Sequence, residues 1–171
     1  QRVKNCVESG WVSTVGNYVN DFEEGLKSFT KSKYVIATSS GTASLHLALL
    51  GVGVKANEEV LLPALTFVAT ANAISYTGAI PHFVDCDNTS LGVDPVCLEK
   101  YLNKIVRMKN GFSYNKETER KISAILPVHM YGHPCSIVKI IEIANKFNIK
   151  VVEDAAEALG SSINGNHVGT L

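Results

Sequence analysis

The feature that most limits the fold of this chain is an alternation of short apolar runs with helical runs. Val60-Leu-Leu reads as a strand, and Phe67 to Tyr76 as a helix closed by Gly78. Pro81-His-Phe-Val-Asp85 is the next strand. Asp94-Pro95 opens a helix through Leu102, with proline in the first turn, where its missing N–H costs nothing. Ile122 to Val128 reads as a buried strand, Ser136 to Phe147 as an amphipathic helix, and Lys150-Val-Val-Glu153 as another strand. Strand and helix in turn, with short connections, predict an α/β fold built on a mostly parallel sheet.

The flanking segments are read in the same way. Phe22, Leu26 and Phe29 fall at i, i+4 and i+7, which puts them on one face of a helix. Tyr34-Val-Ile-Ala37 is a short strand candidate, followed by Thr38-Ser-Ser-Gly-Thr42 and a helical run from Ala43 to Leu50 stopped by Gly51. Residues 107–121 are polar and predict a surface excursion, while Ser161 to Val168 predicts a hairpin around Asn164-Gly165. No repeat, low-complexity tract or linker divides the chain, so residues 1–171 are read as part of a single domain.

Composition narrows the function classes. Sixteen Lys and Arg balance sixteen Asp and Glu, which removes the basic footprint expected of a nucleic-acid binder. Cys6, Cys86, Cys97 and Cys135 show no C-x-x-C spacing, so zinc and dithiol redox sites have no support, and free thiols in a cytoplasmic protein are expected. No signal peptide is expected, and no apolar run reaches the roughly 18 residues of a membrane span. The sequence opens at Gln1 without Met and ends at Gly169-Thr170-Leu171, directly after the Asn164-Gly165 turn. Both ends lead us to expect a piece of a longer protein.

In open α/β sheets, ligands collect at the carboxyl ends of strands, and three segments there are unusual. Ser39-Ser-Gly-Thr-Ala43 precedes a helix, whose N-terminal N–H groups and dipole suit a phosphate. The same residues also make an ordinary Ser/Thr helix cap. Pro63-Ala-Leu-Thr-Phe67 places an aromatic ring between strand and helix, where it could stack on a flat heterocycle or simply join the core. Val151-Val-Glu-Asp-Ala-Ala-Glu157 sets carboxylates after an apolar strand, with two alanines that leave room for a ring. A buried carboxylate needs a partner. A protonated pyridine nitrogen, a magnesium ion or an internal Lys or Arg would each serve.

Taken in order, Trp11-Val-Ser-Thr-Val-Gly16, Ser40-Gly-Thr-Ala43, Pro63-Ala-Leu-Thr-Phe67, Pro127-Val-His-Met-Tyr-Gly132 and Glu153-Asp-Ala-Ala-Glu157 resemble the DegT/DnrJ/EryC1/StrS family of pyridoxal-phosphate (PLP)-dependent sugar aminotransferases. Within it, Thr66-Phe-Val-Ala-Thr-Ala-Asn72, Lys109-Asn-Gly-Phe-Ser-Tyr-Asn115 and Val128-His-Met-Tyr-Gly-His-Pro134 look most like the enzymes of legionaminic acid and bacillosamine synthesis. The resemblance implies a three-layer α/β/α large domain of the fold-type-I PLP enzymes, here incomplete, and a homodimer. It implies transfer of an amine from glutamate to C4 of a nucleotide-linked 4-keto-6-deoxy-N-acetylhexosamine. By position, Gly41, Thr42 and Ala43 become phosphate contacts and Phe67 the stacking ring. Asp154 becomes the partner of the pyridine nitrogen, Ala156 lies beneath the ring, and Glu157 lies near the phenolic oxygen. The Schiff-base lysine of the family falls beyond Leu171, so these residues alone are expected to be inactive. Relatives with His in place of that lysine dehydrate the sugar at C3, and a non-catalytic fragment is the remaining alternative.

Overall fold

The computed structural model describes residues 1–13 and 16–171. Two compact units make up the chain, Gln1–Thr38 with Thr170, and Ser39–Gly169 with Leu171. The Trp11–Gly16 motif includes Thr14 and Val15, which lie outside the described residues.

The first unit contains α1 (Arg2–Ser9) and α2 (Asn17–Thr30). The predicted helix around Phe22, Leu26 and Phe29 is present, but α2 buries no residue, and both phenylalanines are largely exposed. Tyr34–Ala37 forms no strand. Its backbone is engaged locally instead: the Ala37 N–H donates to Glu23 Oε1 at 2.7 Å, and Tyr34 and Ile36 face solvent. Apolar β-formers in a run were therefore not enough, because no neighbouring strand among the described residues takes up their backbone groups.

The second unit runs α3 (Gly41–Gly51), β1 (Glu59–Pro63), α4 (Val68–Tyr76), β2 (Ile80–Val84) and α5 (Pro95–Ile105). The antiparallel strands β3 (Val106–Lys109) and β4 (Phe112–Asn115) follow, then β5 (Ile122–Ile125), a single 3-10 turn at Met130–Gly132, and α6 (Ile137–Lys146). Next come β6 (Lys150–Val151) and the small hairpin of β7 (Ser162–Ile163) and β8 (Asn166–His167). The main sheet has the order β2-β1-β5-β6, and all three pairings are parallel.

Alternation along the strands divides the core into two faces. Leu61 and Ile125 pack with Leu98 and Leu102 of α5 and with Ile137 and Ile140 of α6. Val60, Leu62, Ala124 and Leu126 pack with Leu45 and Leu49 of α3 and with Ala73 and Ile74 of α4. That is the three-layer arrangement implied by the resemblance. Every residue of β1 is buried, as a central parallel strand covered on both faces requires. Burying one such leucine or isoleucine contributes about 1.5–3 kcal/mol.

Two segments depart from their sequence reading. The polar stretch 107–121 carries part of a hairpin, turning at Asn110 and Gly111 with φ of 52° and 78°, rather than a plain excursion. Asn115 is buried in it and donates from Nδ2 to Glu59 Oε2 at 2.9 Å, which docks the hairpin on the start of β1. The predicted strand Ile122–Val128 stays buried but pairs continuously only to Ile125. Pro127 has no N–H to give a ladder, so Val128 rejoins the sheet through an isolated parallel bridge to Asp154.

Candidate functional site

Strand order places the site. The chain steps from β1 out to β2, then returns to the other side of β1 for β5 and β6. At such a reversal the connections at the strand ends diverge and leave a crevice. A cleft of about 440 Å³ lies there, walled by Gly41, Thr42, Thr66, Phe67 and residues that follow β5 and β6. Its size and its apolar walls with few polar groups suit a small molecule.

Asp154 is at the cleft and only 7% exposed. Its backbone is fixed on both sides: its N–H donates to Pro127 O at 2.9 Å, and its carbonyl accepts from the His129 N–H at 3.1 Å. The carboxylate accepts from Thr70 Oγ1 at 2.8 Å on Oδ2 and from the Ala156 N–H at 3.3 Å on Oδ1. Among the described residues it forms no ion pair with Lys, Arg or His. No group of three or more His, Cys, Asp or Glu that could hold a metal ion occurs among the described residues.

Gly41 and Thr42 are the first two residues of α3 and line the cleft. Ser40 caps this helix, its Oγ accepting from the Ala43 N–H at 3.2 Å. The cap therefore takes up the Ala43 N–H, and the cleft wall consists of Gly41 and Thr42 without Ala43. Phe67 is the N-cap residue of α4, lines the cleft and is 72% exposed as a residue. Ala156 and Glu157 complete that wall, and Glu157 Oε2 accepts from the Tyr131 N–H at 2.7 Å.

Several residues that sequence reading passed over hold this wall. Glu153 accepts from His129 Nε2 at 2.9 Å and from the Gly169 N–H at 2.9 Å, both on Oε2, and from the Leu171 N–H at 3.2 Å on Oε1. His129 Nδ1 accepts the Cys135 N–H at 3.2 Å, so the proton of the ring sits on Nε2, facing Glu153. Burial and the nearby Glu153 carboxylate push the Cys135 thiol up to about 12, which leaves it protonated and a poor nucleophile. The signal in the sequence was the Pro127–Gly132 motif itself, but nothing local paired His129 with Glu153.

Gly132 shows why that motif ends in glycine. Its φ is +77°, and a Cβ there would lie 2.8 Å from the Glu157 carbonyl oxygen. Gly132→Ala is expected to cost about 1–3 kcal/mol. The measurement is thermal unfolding, and an unchanged midpoint would contradict the close approach.

The chain shares its architecture with known proteins. A model of the DegT/DnrJ/EryC1/StrS aminotransferase family matches residues 1–171. GDP-perosamine synthase of Escherichia coli O157:H7 is 40% identical over 169 residues, covering 99% of this chain and 42% of that protein. The crystal structure of NtdA from Bacillus subtilis with bound cofactor PMP has a TM-score of 0.73 and 35% identity, over 86% of this chain and 30% of that one. DesI in the presence of its TDP-sugar product has a TM-score of 0.81 and 28% identity, over 98% of this chain and 38% of that one. The chain thus spans well under half the length of these relatives. With the parallel sheet, the crevice at its reversal and the ordered motifs all in place, this chain belongs to the DegT/DnrJ/EryC1/StrS aminotransferase family.

Proposed function

We propose that residues 1–171 are part of the PLP-binding large domain of an enzyme that aminates a nucleotide-linked keto sugar in the cytoplasm, with glutamate as the amino donor. The observation that carries this reading is Asp154, a carboxylate 7% exposed at a cleft with no cation paired to it among the described residues. A buried charge of that kind calls for a cationic partner. The protonated ring nitrogen of PLP supplies it, and the bound cofactor then acts as an electron sink for the substrate carbon.

The residues at the cleft divide the work of holding that group. Asp154 keeps the ring nitrogen protonated. Phe67 would offer a flat face for the ring to stack on, and Ala156 would leave space for it. Gly41 and Thr42, with Ala43 capped behind them, would bring the start of α3 to the phosphate, where the positive end of the helix favours an anion. Glu157 would lie near the phenolic oxygen, with its Oε2 accepting from the Tyr131 N–H. The amine that takes and returns the substrate proton is assigned, on the family resemblance, to a lysine of the longer protein beyond residue 171.

For the substrate we propose C4 of a 4-keto-6-deoxy-N-acetylhexosamine, on the likeness of the Thr66–Asn72 and Val128–Pro134 segments to the legionaminic acid and bacillosamine enzymes. The GDP-perosamine synthases among the relatives favour a second reading, a GDP-linked sugar without the acetamido group. A homodimer is proposed for the full-length protein. The test is to incubate that protein, PLP and glutamate with UDP- and GDP-linked 4-keto sugars and to follow amino sugar by mass spectrometry. Amination of one of them is expected, with borohydride fixing the cofactor to a lysine. No amination of any keto sugar by the PLP-loaded protein would sink the reading.

A further inference from the structure

Asp154 is held by one short hydrogen bond, and it comes from a residue 84 positions away in the sequence. Thr70 is fully buried in α4, one turn after the Phe67 cap. An ionised carboxylate only accepts, so the single hydroxyl proton of Thr70 goes to Asp154 Oδ2 at 2.8 Å. The Thr70 oxygen is then an acceptor, and it receives the Thr66 hydroxyl at 2.9 Å. Thr66 in turn lines the cleft.

We propose that Thr66 and Thr70 form a hydroxyl relay that fixes the rotation of the Asp154 carboxylate, making Thr70 a positioning residue for the cofactor's ring nitrogen. The terminal torsion of an aspartate has a broad, shallow profile, so its angle is set by partners rather than by the side chain itself. Without Thr70, the only other hydrogen bond to this carboxylate among the described residues is the Ala156 N–H at 3.3 Å, which is beyond the usual range for a good N–H···O bond. With Thr70 in place, Oδ2 is anchored from within the protein and Oδ1 keeps lone-pair capacity for a donor in the cleft. The 66/70 spacing places one hydroxyl at the cleft and the other beneath it. This role of Thr70 rests on Asp154 holding the ring nitrogen.

The test uses the full-length protein loaded with PLP labelled with 15N in the ring. The readouts are the nitrogen chemical shift, cofactor retention on dialysis, and the melting temperature of the apoprotein. Thr70→Val should weaken retention roughly tenfold, the scale of a lost hydrogen bond to a charged group. It should also move the nitrogen signal toward that of Asp154→Asn, with the apoprotein melting close to wild type. Thr70→Ser should restore both. In an Asp154→Asn background, Thr70→Val should add little, because the group it acts through is gone. If Thr70→Val does not fold, Thr66→Val replaces it, with a smaller shift in the same direction expected and no shift overturning the relay. A wild-type nitrogen signal and retention in Thr70→Val, or the same loss with and without Asp154, would overturn the positioning role while leaving Asp154 assigned. A wild-type nitrogen signal in Asp154→Asn would instead remove the assignment of Asp154 itself.

Discussion

Replacing Asp154 by Asn in the full-length enzyme is expected to lower kcat/KM by about 10²–10³-fold, the scale of losing one preorganised electrostatic contact in an active site. The side chains are nearly isosteric, and the amide oxygen can take the place of Oδ2 and accept from Thr70, while the NH2 in the place of Oδ1 gives up only the long bond from the Ala156 N–H. What disappears is the negative charge. An amide cannot stabilise a protonated ring nitrogen, so the electron sink weakens while the cleft keeps its shape. Unfolding should therefore shift little, and cofactor absorbance should change where the ring nitrogen loses its proton. Wild-type kinetics in a well-folded Asp154→Asn protein would rule out the role.

The largest effect on stability is expected at the other end of the sheet. Glu59 opens β1 and is 2% exposed. It accepts from His82 Nδ1 at 2.8 Å and from Asn115 Nδ2 at 2.9 Å on Oε2, and from the Thr118 hydroxyl on Oε1. His82 continues to the Tyr101 hydroxyl at 2.9 Å. One carboxylate thus ties together β1, β2, α5 and the end of the β3–β4 hairpin. Glu59→Ala removes three hydrogen bonds to a charged group, from buried Asn115, part-buried His82 and exposed Thr118, and should cost about 3–5 kcal/mol, with Glu59→Gln costing less because the shape is kept. In a domain of this size that is roughly 6–20 °C in melting temperature. Thermal unfolding checks it, and a loss of less than a few degrees in Glu59→Ala would show that the network is dispensable.

The same carboxylate carries a pH dependence with a definite sign. Burial works against its ionisation, but hydrogen bonds from His82, Thr118 and Asn115 outweigh burial and hold its pKa below the ordinary 4.5. The unfolded chain therefore takes up a proton before the native one does. The contribution of Glu59 is complete above the ordinary carboxylate range and is lost as pH falls through 4.5 and below. Unfolding free energy measured across that window should fall more steeply for wild type than for Glu59→Gln, and equal slopes would contradict the network.

Much of this molecule was legible in the chain because the relevant forces are local. Short apolar runs alternating with helical runs named β1, β2, α4, α5 and α6, and Asp94-Pro95 marked the start of α5 through side-chain acceptance of the Val96 and Cys97 N–H groups. Motif order gave Gly41, Thr42, Phe67, Asp154, Ala156 and Glu157, all of which line one cleft. The strand reading of Tyr34–Ala37 failed because a strand exists only through its neighbour, and here the Ala37 N–H goes to Glu23 instead. The 107–121 stretch concealed a hairpin because its anchoring residue, Asn115, is polar, and its burial depends on Glu59, which lies 56 residues earlier.

By itself, then, the sequence determined the α/β class, the helix starts and the residues that gather at the strand ends. Those follow from spacing, caps and turns within a few positions. Only the tertiary structure decided which polar groups complete one another: Thr70 with Asp154 across 84 residues, His129 with Glu153 across 24, and Thr118 with Glu59 across 59. Such pairs are set by the register and order of the parallel strands, which bring distant segments to hydrogen-bonding distance and exclude the water that would otherwise satisfy each group alone.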